Sequence, residues 1–321
     1  MQAPQPQAGA TRGRFAPTPS GRLHLGNLAC SLLAWLSAHS KGGAVILRIE
    51  DLDVARCSQT DAALAEADFA FLGLSYTEGG KMGGSHEPYT QSKCGDIYTK
   101  SYEKLAKMGL LYPCFCSRKE LHNLNAPHAA DGTFVYGGAC RGLSAAQIAE
   151  KGRVKSPAMR LCVPDETITF TDGNLGIYSE NLARDCGDFV VRRGDGIYPY
   201  QLAVVVDDAR MGITEIVRGA DLLPSAARQI YLYRLLGLPI PQFYHCPLLL
   251  APDGRRLSKR DGDDSLAHLA AKYSAEEIIG KLAFVYGLQD APTPRTAQSL
   301  VADFDWAKVP TQDICLPEGL F

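Results

Sequence analysis

The chain has 321 residues, of which 46% are hydrophobic and 21% are charged, and its formal net charge at pH 7 is −2. These values are typical of a globular protein with a sizeable core, in one large domain or two smaller ones. No apolar run reaches the roughly 18–20 residues of a membrane-spanning helix, and residues 1–13 lack the apolar segment of a secretory signal. We therefore expect a soluble, cytoplasmic protein with a disordered lead over these residues. The net charge gives no support for nucleic-acid binding, which would need a local basic surface.

The predicted elements begin with a βαβ unit. Residues 14–17 are predicted as the end of a short strand, and Pro17 and Pro19 then enforce an extended turn. Over residues 24–40, leucines recur at helical spacing, and the apolar run at 44–49 predicts a buried parallel strand. A strand, turn, helix and strand in this order predict a doubly wound parallel, Rossmann-type α/β fold.

Helical periodicity and apolar runs continue along the rest of the chain. Helices are predicted over residues 61–72, 91–108, 225–236 and 266–288. Strands are predicted over residues 189–193, 201–207 and 215–218. Residues 112–159 are instead rich in Cys, Gly, Pro and His, which predicts a loop-like insertion between two halves of the sheet.

The start of the first predicted helix is suited to phosphate. The turn at residues 18–21 leads into a helix amino terminus, where N–H groups and the helix dipole favour anions. Gly26 would let a nucleotide pack there without an intervening side chain. His24 could donate to an α-phosphate, and Lys259, in a distant loop, could neutralise a pyrophosphate leaving group. Taken alone, His24 is more simply interpreted as a surface or capping histidine. The chain has no Walker-type phosphate loop.

Ten cysteines are present, and we expect most to be reduced because a cytosolic chain of this size needs no disulfide bonds. Cys114, Cys116 and Cys140 differ because all three lie in the predicted insertion. Three thiolates in one loop-rich segment suit a tetrahedral zinc ion, which could stabilise a segment without its own core. On general grounds, His122 or His128 could supply the fourth ligand. The alternative is three buried structural cysteines that bind no metal.

Two motifs more than two hundred residues apart carry a resemblance to a known family. Residues 14–27 resemble the HIGH motif of class I aminoacyl-tRNA synthetases in its glutamyl-enzyme form, and residues 256–260 resemble the KMSKS loop. Asn27 replaces the last histidine of HIGH, and arginines replace the first and last residues of KMSKS. Further similar stretches lie at residues 47–53, 200–208 and 215–223. The resemblance implies a Rossmann-type catalytic domain that forms glutamyl-adenylate from glutamate and ATP with Mg²⁺.

The resemblance also implies the site residues. In the family, glutamate is surrounded by the equivalents of Arg14, Ala16, Ser20, Glu50, Tyr200 and Arg218. Two guanidinium groups can pair with the two substrate carboxylates, and Glu50 can hold the α-ammonium group. Glu50 and Arg218 could alternatively be a strand-end charge and a sheet-edge ion pair. The implied ATP-binding residues are His24, Gly26, Asn27, Ser258 and Lys259, and the implied catalytic residues are His24 and Lys259.

The length after the second motif separates two groups within this family. Only about sixty residues follow Lys259, which we expect to be too few for the helical anticodon-binding region of a full synthetase. The chain therefore resembles the shorter glutamyl-queuosine tRNA(Asp) synthetases. This resemblance implies glutamate activation without tRNA, and transfer to the cyclopentenediol of queuosine in the anticodon of tRNA(Asp). It also implies that Tyr136 joins the three cysteines at a structural zinc ion. A truncated glutamyl-tRNA synthetase that charges the tRNA 3′ end and a non-catalytic binding module remain open as alternatives.

The combined interpretation predicts a monomer without an anticodon-binding domain, in five parts. They are a disordered lead (1–13), the first half of the catalytic domain (14–111), a zinc-binding insertion (112–160), the second half of the catalytic domain (161–254), and the KMSKS-like loop with a short helical C-terminal part (255–321).

Overall fold

The computed structural model describes residues 11–117, 120, 135–257 and 265–321. The helices in this part of the chain are α1 (Leu25–Ser40), α2 (Gln59–Phe71), α3 (Gly95–Lys107), α4 (Ala145–Val154), α5 (Tyr200–Arg210), α6 (Ser225–Leu236), α7 (Leu266–Ala270), α8 (Ala275–Val285) and α9 (Ala297–Leu300). The strands are β1 (Arg12–Phe15), β2 (Ala44–Leu47), β3 (Glu78–Gly79), β4 (Leu111–Cys114), β5 (Ala158–Leu161), β6 (Thr167–Asp172), β7 (Gly176–Asn181), β8 (Phe189–Arg192), β9 (Glu215–Gly219), β10 (Gln242–Cys246), β11 (Leu249–Leu250) and β12 (Ile314–Cys315). None of the described helices is long and apolar enough to cross a membrane.

Parallel strands form the centre of the fold. Strands β1, β2 and β3 pair in parallel, with Arg14 opposite Ile46, and β9 and β10 form a second parallel pair. The two groups meet where the Thr214 N–H donates to the Arg12 carbonyl over 3.0 Å. The predicted βαβ opening is confirmed, and α1 is the helix that connects β1 to β2.

Alternate side chains of β2 enter two different cores, since successive residues of a strand face opposite sides of a sheet. Val45 and Leu47 pack in a core with residues of α1, α7 and α8. Ile46 packs in another core with residues of α3, α5 and α6. Helices therefore cover both faces of the sheet, which explains why the sequence of β2 is apolar throughout.

One predicted strand and one predicted helix differ from the structure. Residues 201–207, predicted as a strand, belong to α5, in which residues 202–208 are all buried. This prediction was wrong because a short apolar run that is buried on every side looks the same in a helix and in a strand. The helix predicted over residues 266–288 is divided into α7 and α8, since Ser274 caps α8 by accepting a hydrogen bond from the Glu277 N–H.

The insertion predicted as loop-like has regular structure at its edges. Strands β4 and β5 pair antiparallel, with Leu111 opposite Leu161, and β8 extends the same sheet. Helix α4 lies between these strands in sequence. The prediction of a loop is therefore wrong for these described parts, because β4 and β5 find their pairing partners at opposite ends of the segment.

The C-terminal residues pack back onto α1. Trp306 donates from Nε1 to Ser37 Oγ over 2.8 Å and stacks on Tyr244, with ring centroids 4.8 Å apart. Strand β12 pairs in parallel with β11. Through Trp306, the C-terminal residues therefore contact both α1 and β10.

Candidate active site

The parallel strands end at a cavity of about 650 Å³. It lies beside the amino termini of α1 and α5 and the ends of β1, β9 and β10, which is where open α/β sheets bind ligands. It is lined by nine of the residues predicted to bind glutamate or ATP, namely Arg14, Ala16, Ser20, His24, Gly26, Asn27, Glu50, Tyr200 and Arg218. Ser258 and Lys259, the other predicted ATP-binding residues, lie outside the described part of the chain.

The amino terminus of α1 lies at this cavity. His24 is its N-cap residue, and the His24 N–H donates to Asn27 Oδ1 over 3.3 Å. A Cβ atom on Gly26 would lie 3.2 Å from two ring atoms of His24, so glycine leaves room for the ring. The two interpretations of His24 are therefore compatible, because the residue begins the helix and also lines the cavity. The first-turn N–H groups favour an anionic ligand at this end.

A buried network of charged side chains lies beside the cavity. Arg48 is fully buried and donates to Asp208 Oδ1 over 2.6 Å and to Glu50 Oε1 over 2.9 Å. Arg14 donates to the Val217 carbonyl over 2.9 Å, and its Nε lies 3.6 Å from Asp208 Oδ1. Two guanidinium groups and two carboxylates therefore compensate each other away from water, as buried charges require.

Burial and ion pairing shift the pKa values in this region. Burial raises the pKa of the Glu50 carboxyl, and the Arg48 guanidinium opposes this effect. Burial alone would lower the pKa of Arg48, but the charges of Asp208 and Glu50 raise it well above its ordinary value. Burial also raises the pKa of Tyr200, so its phenol remains protonated near neutral pH. The cavity thus offers a phenol donor beside guanidinium groups of fixed charge.

Arg218 is held by the protein on two sides. Its Nε donates to His245 Nε2 over 3.0 Å, and its Nη1 donates to Gln229 Oε1 over 2.7 Å. Its Nη2 is buried and has no hydrogen-bond partner among the residues that the structure describes. Since an unpaired buried donor destabilises the protein, this nitrogen is suited to a carboxylate ligand in the cavity.

The sequence analysis did not identify several residues that hold the site, namely Arg48, Asp208, Gln229 and His245. Asp208 gave a usable signal, because two adjacent acids follow an apolar run over residues 202–206 and an acid beside such a run needs a partner. Gln229 and His245 gave no comparable signal, since their partners lie on other elements of the fold.

The three cysteines of the predicted metal site converge. The Sγ atoms of Cys114, Cys116 and Cys140 all lie within 4.8 Å of one another, and those of Cys116 and Cys140 are 3.6 Å apart. The Tyr136 hydroxyl lies 3.4 Å from Cys114 Sγ and 3.6 Å from Cys116 Sγ. Tetrahedral thiolate ligands at the usual Zn–S distance are about 3.8 Å apart. The three thiols therefore lie close enough together to hold one metal ion, with the Tyr136 hydroxyl beside them.

Tyr136 is fixed beside the thiols by two further contacts. Its hydroxyl accepts a hydrogen bond from the Cys140 N–H over 2.8 Å, and the Arg160 guanidinium lies 3.8 Å from its ring centroid. His122 and His128, the other predicted candidates for the fourth ligand, lie outside the described residues. Of the three candidates, Tyr136 is the one for which the structure describes a position.

Comparisons with proteins of known sequence identify the family. Residues 10–285 match the family model for the catalytic domain of class I tRNA synthetases, E and Q. The chain is 48% identical over 310 residues to the glutamyl-Q tRNA(Asp) synthetase of Symbiobacterium thermophilum, and the match covers 95% of each chain. It is 41% identical over 309 residues to the protein of the same name from Neisseria meningitidis, which covers 95% of this chain and 99% of that one.

Comparison with a solved structure supports the same family. A glutamate tRNA ligase from Elizabethkingia meningosepticum, in complex with its amino acid, superposes with a TM-score of 0.82 at 30% identity and covers 97% of this chain and 68% of that one. The family predicted from the two motifs is thus confirmed. The chain belongs to the class I tRNA synthetases of the E and Q group and, within that group, to the glutamyl-Q tRNA(Asp) synthetases.

Proposed function

We propose that this protein activates L-glutamate with ATP as glutamyl-adenylate without tRNA, and then transfers glutamate to the cyclopentenediol of queuosine in the anticodon of tRNA(Asp). The names of the similar proteins support these substrates. The single observation that carries the proposal is the convergence of Arg14, Arg218 and Glu50 in one cavity beside the amino terminus of α1. Two cations and one anion match the two carboxylates and the ammonium group of glutamate.

Charge pairing holds glutamate in this proposal. The guanidinium of Arg14 and the unpaired Nη2 of Arg218 pair with the two carboxylates of glutamate, and Glu50 accepts hydrogen bonds from the α-ammonium group. The remaining residues of the proposed glutamate pocket are Ala16, Ser20 and Tyr200. The α-carboxylate is proposed to face the start of α1, where the nucleotide phosphates are proposed to bind.

Adenylate formation depends on positioning rather than on proton transfer. The α-carboxylate is already a nucleophile at neutral pH, so its oxygen attacks the α-phosphorus of ATP and pyrophosphate leaves. His24 is proposed to donate to the α-phosphate, and Gly26 and Asn27 to contact the nucleotide. Ser258 and Lys259 are proposed to stabilise the leaving pyrophosphate together with the Mg²⁺ that accompanies ATP.

Transfer to queuosine is the second step. A hydroxyl of the cyclopentenediol attacks the carbonyl carbon of the adenylate, loses its proton and forms an ester, and AMP leaves. The proposed partners are therefore ATP, glutamate and queuosine-containing tRNA(Asp), and the proposed acting species is a monomer.

A structural zinc ion at Cys114, Cys116, Tyr136 and Cys140 is part of the same proposal. The spacing of the three sulfur atoms and the phenol oxygen supports it. None of these four residues lines the cavity. The ion is therefore proposed to stabilise the insertion over residues 112–160 and to take no part in the chemistry.

The test of this function is transfer of labelled glutamate, with ATP, to tRNA(Asp) that contains or lacks queuosine. The tRNA 3′ end is blocked against oxidation, and half of the queuosine-containing tRNA is treated with periodate before the reaction. We expect labelling that requires queuosine and that is lost after periodate has cleaved the queuosine diol.

Two other outcomes would replace the proposal. Labelling of tRNA(Glu) at its 3′ end would identify a shortened glutamyl-tRNA synthetase. An absence of labelling, together with an absence of glutamate-dependent ATP–pyrophosphate exchange, would identify a non-catalytic binding module.

A further inference from the structure

Behind Arg218, two buried side chains continue the hydrogen-bond chain into the protein. His245 lies in β10 and is 0% exposed, and Asp172 ends β6 and is 2% exposed. His245 Nδ1 lies 2.6 Å from Asp172 Oδ2, and His245 Nε2 lies 3.0 Å from Arg218 Nε. A continuous relay therefore leads from Asp172 through the imidazole ring to a guanidinium at the cavity.

The chemistry of the groups fixes the direction of each bond in this relay. The Nε–H of Arg218 can only donate, so His245 Nε2 must accept. Burial lowers the pKa of His245 to about 4, although the hydrogen bond to Asp172 opposes this effect, and the ring is neutral near pH 7. Its single proton is therefore on Nδ1 and is donated to Asp172.

Asp172 is itself fixed by backbone groups. Its Oδ1 accepts from the N–H groups of Asn174, Leu175 and His245 over 3.0, 2.9 and 3.1 Å. This leaves Oδ2 for the imidazole. The carboxylate therefore cannot rotate away from the ring without the loss of three hydrogen bonds, and it selects one tautomer of His245.

The relay and Gln229 determine which part of Arg218 is open to a ligand. The relay holds Nε, and Gln229 holds Nη1. The guanidinium also lies 5.3 Å from the ring centroid of Phe243, which limits its tilt. The group that has no partner among the described residues is Nη2, and Arg218 lines the cavity.

We infer that Asp172 and His245 are positioning residues that orient Arg218 for a carboxylate of the amino-acid substrate. The inference rests on the proposed function, in which Arg218 binds glutamate. The two residues contact neither substrate, so they act only through Arg218. They contribute to glutamate recognition, and nucleotide binding at the start of α1 does not depend on them.

The substitution Asp172→Asn tests this inference with almost no change in shape. The amide oxygen can keep the three backbone hydrogen bonds, and the amide N–H₂ then faces His245 Nδ1, which must become an acceptor. The ring proton moves to Nε2, where it opposes the Nε–H of Arg218. We expect the KM for glutamate in ATP–pyrophosphate exchange to rise about 10- to 100-fold, the effect of losing a hydrogen bond to a charged group, with the KM for ATP unchanged.

A double-mutant cycle separates positioning from a general structural effect. Arg218→Lys removes the Nε–H, so Asp172→Asn should add little to the KM for glutamate in that background. A rise in both KM values, or effects that add in the double variant, would overturn the positioning role. If Arg218→Lys raises the KM for glutamate and Asp172→Asn leaves it unchanged, the positioning role of Asp172 and His245 is wrong and the proposed function stands. If Arg218→Lys leaves it unchanged, the proposed role of Arg218 fails.

A second pair of variants covers the case in which Asp172→Asn does not fold. His245→Gln places an amide oxygen where Nε2 accepts from Arg218, whereas His245→Leu removes the acceptor at similar volume. Binding of glutamate, measured by calorimetry on each folded variant, should be stronger for His245→Gln than for His245→Leu. Equal affinities would overturn the inference.

Discussion

The candidate active site and the cysteine cluster are built in opposite ways. In the active site, charged and polar groups from distant segments bind each other: Arg48 bonds to Asp208 across 160 positions, and Arg218 bonds to His245 across 27 positions. In the cysteine cluster, all four candidate ligands lie within residues 114–140. The buried apolar cluster around them is small, and its buried members among the described residues are Tyr112, Cys114, Tyr136 and Cys140.

The difference concerns what maintains each geometry. The active-site groups are fixed by mutual ion pairs and by strands of the central sheet, so the site needs no ligand to form. The thiols provide little for one another, since S–H is a weak donor, and a metal ion would supply most of their stabilisation. The two regions should therefore respond differently to mutation, acid and chelation.

Removal of Asp208 should have the largest effect on stability. Asp208→Ala leaves the buried Arg48 with Glu50 as its remaining acidic partner and takes an ion-pair partner from Arg14. Breaking a buried pair from one side typically lowers the free energy of unfolding by about 3–5 kcal/mol. Urea unfolding followed by circular dichroism measures this change.

A surface pair provides the matched control for Asp208→Ala. Glu166 and Arg234 are 3.1 Å apart with both side chains 47% exposed, and exposed pairs contribute about 0–1 kcal/mol. The free energy of unfolding of Glu166→Ala should therefore be close to that of the wild type. Equal losses in the two variants would contradict the view that buried pairing maintains the active-site geometry.

Acid should lower the free energy of unfolding through the buried His245 of the active site. Burial lowers the pKa of folded His245 to about 4, from an ordinary value of 6.5. As the pH falls, the unfolded chain therefore binds a proton at this residue before the folded chain does. The contribution of His245 to the free energy of unfolding decreases by ~3 kcal/mol between these two pKa values and does not decrease further below them. The measurement is the free energy of unfolding of the wild type minus that of His245→Gln from pH 7 to pH 4. A difference that does not change with pH would contradict this prediction.

Elements with a local signal could be predicted from the sequence. The spacing of leucines in α1 and the apolar run of β2 encode their own structure, so both were predicted near their observed bounds. The helix over residues 201–207 could not be predicted, because an apolar run that is buried on every side has the same pattern in a helix and in a strand. The packing of Trp306 on Ser37 could not be predicted either, since no local pattern encodes a contact between two distant segments.

The candidate site likewise has one part that the sequence predicts and one part that it does not. Residues 14–27 form one contiguous motif, so sequence alone placed several of the cavity-lining residues together. The residues that hold these groups could not be assigned, because their pairing is decided by which strand ends meet. Asp172 and His245 are 73 positions apart and become neighbours only when β6 and β10 pack together.

Loss of metal should have a more local effect. Cys140→Ser or a strong chelator is expected to abolish binding of one zinc ion and to increase hydrogen exchange across residues 112–141, because so small a core cannot replace the ion. ATP–pyrophosphate exchange should persist, since no residue of the cluster lines the cavity. Cys315→Ser, at an exposed thiol outside the cluster, is the control. The absence of zinc from protein purified without chelator would contradict the metal proposal.

The smallest expected effect concerns the fourth ligand of the cluster. Tyr136→Phe keeps the ring under the Arg160 guanidinium but removes the hydroxyl that lies beside the sulfur atoms and accepts from the Cys140 N–H. Three thiolates remain, so zinc should still bind at one ion per chain. Its affinity should fall by at least the ~10-fold that the loss of a second-shell partner causes. Competition with a chromophoric chelator measures this affinity.

Tyr112→Phe is the control for this last variant, because Tyr112 belongs to the same buried cluster but its hydroxyl donates to Asp188. A fall in affinity that is specific to Tyr136→Phe would mean that the phenol oxygen completes the ligand set. Equal affinity in Tyr136→Phe and the wild type would assign the fourth position to another residue, with His122 and His128 as the next candidates. In that case the cluster would depend on a ligand from the part of the insertion that lies between Cys116 and Tyr136 in sequence, and its contrast with the self-sufficient active site would become sharper.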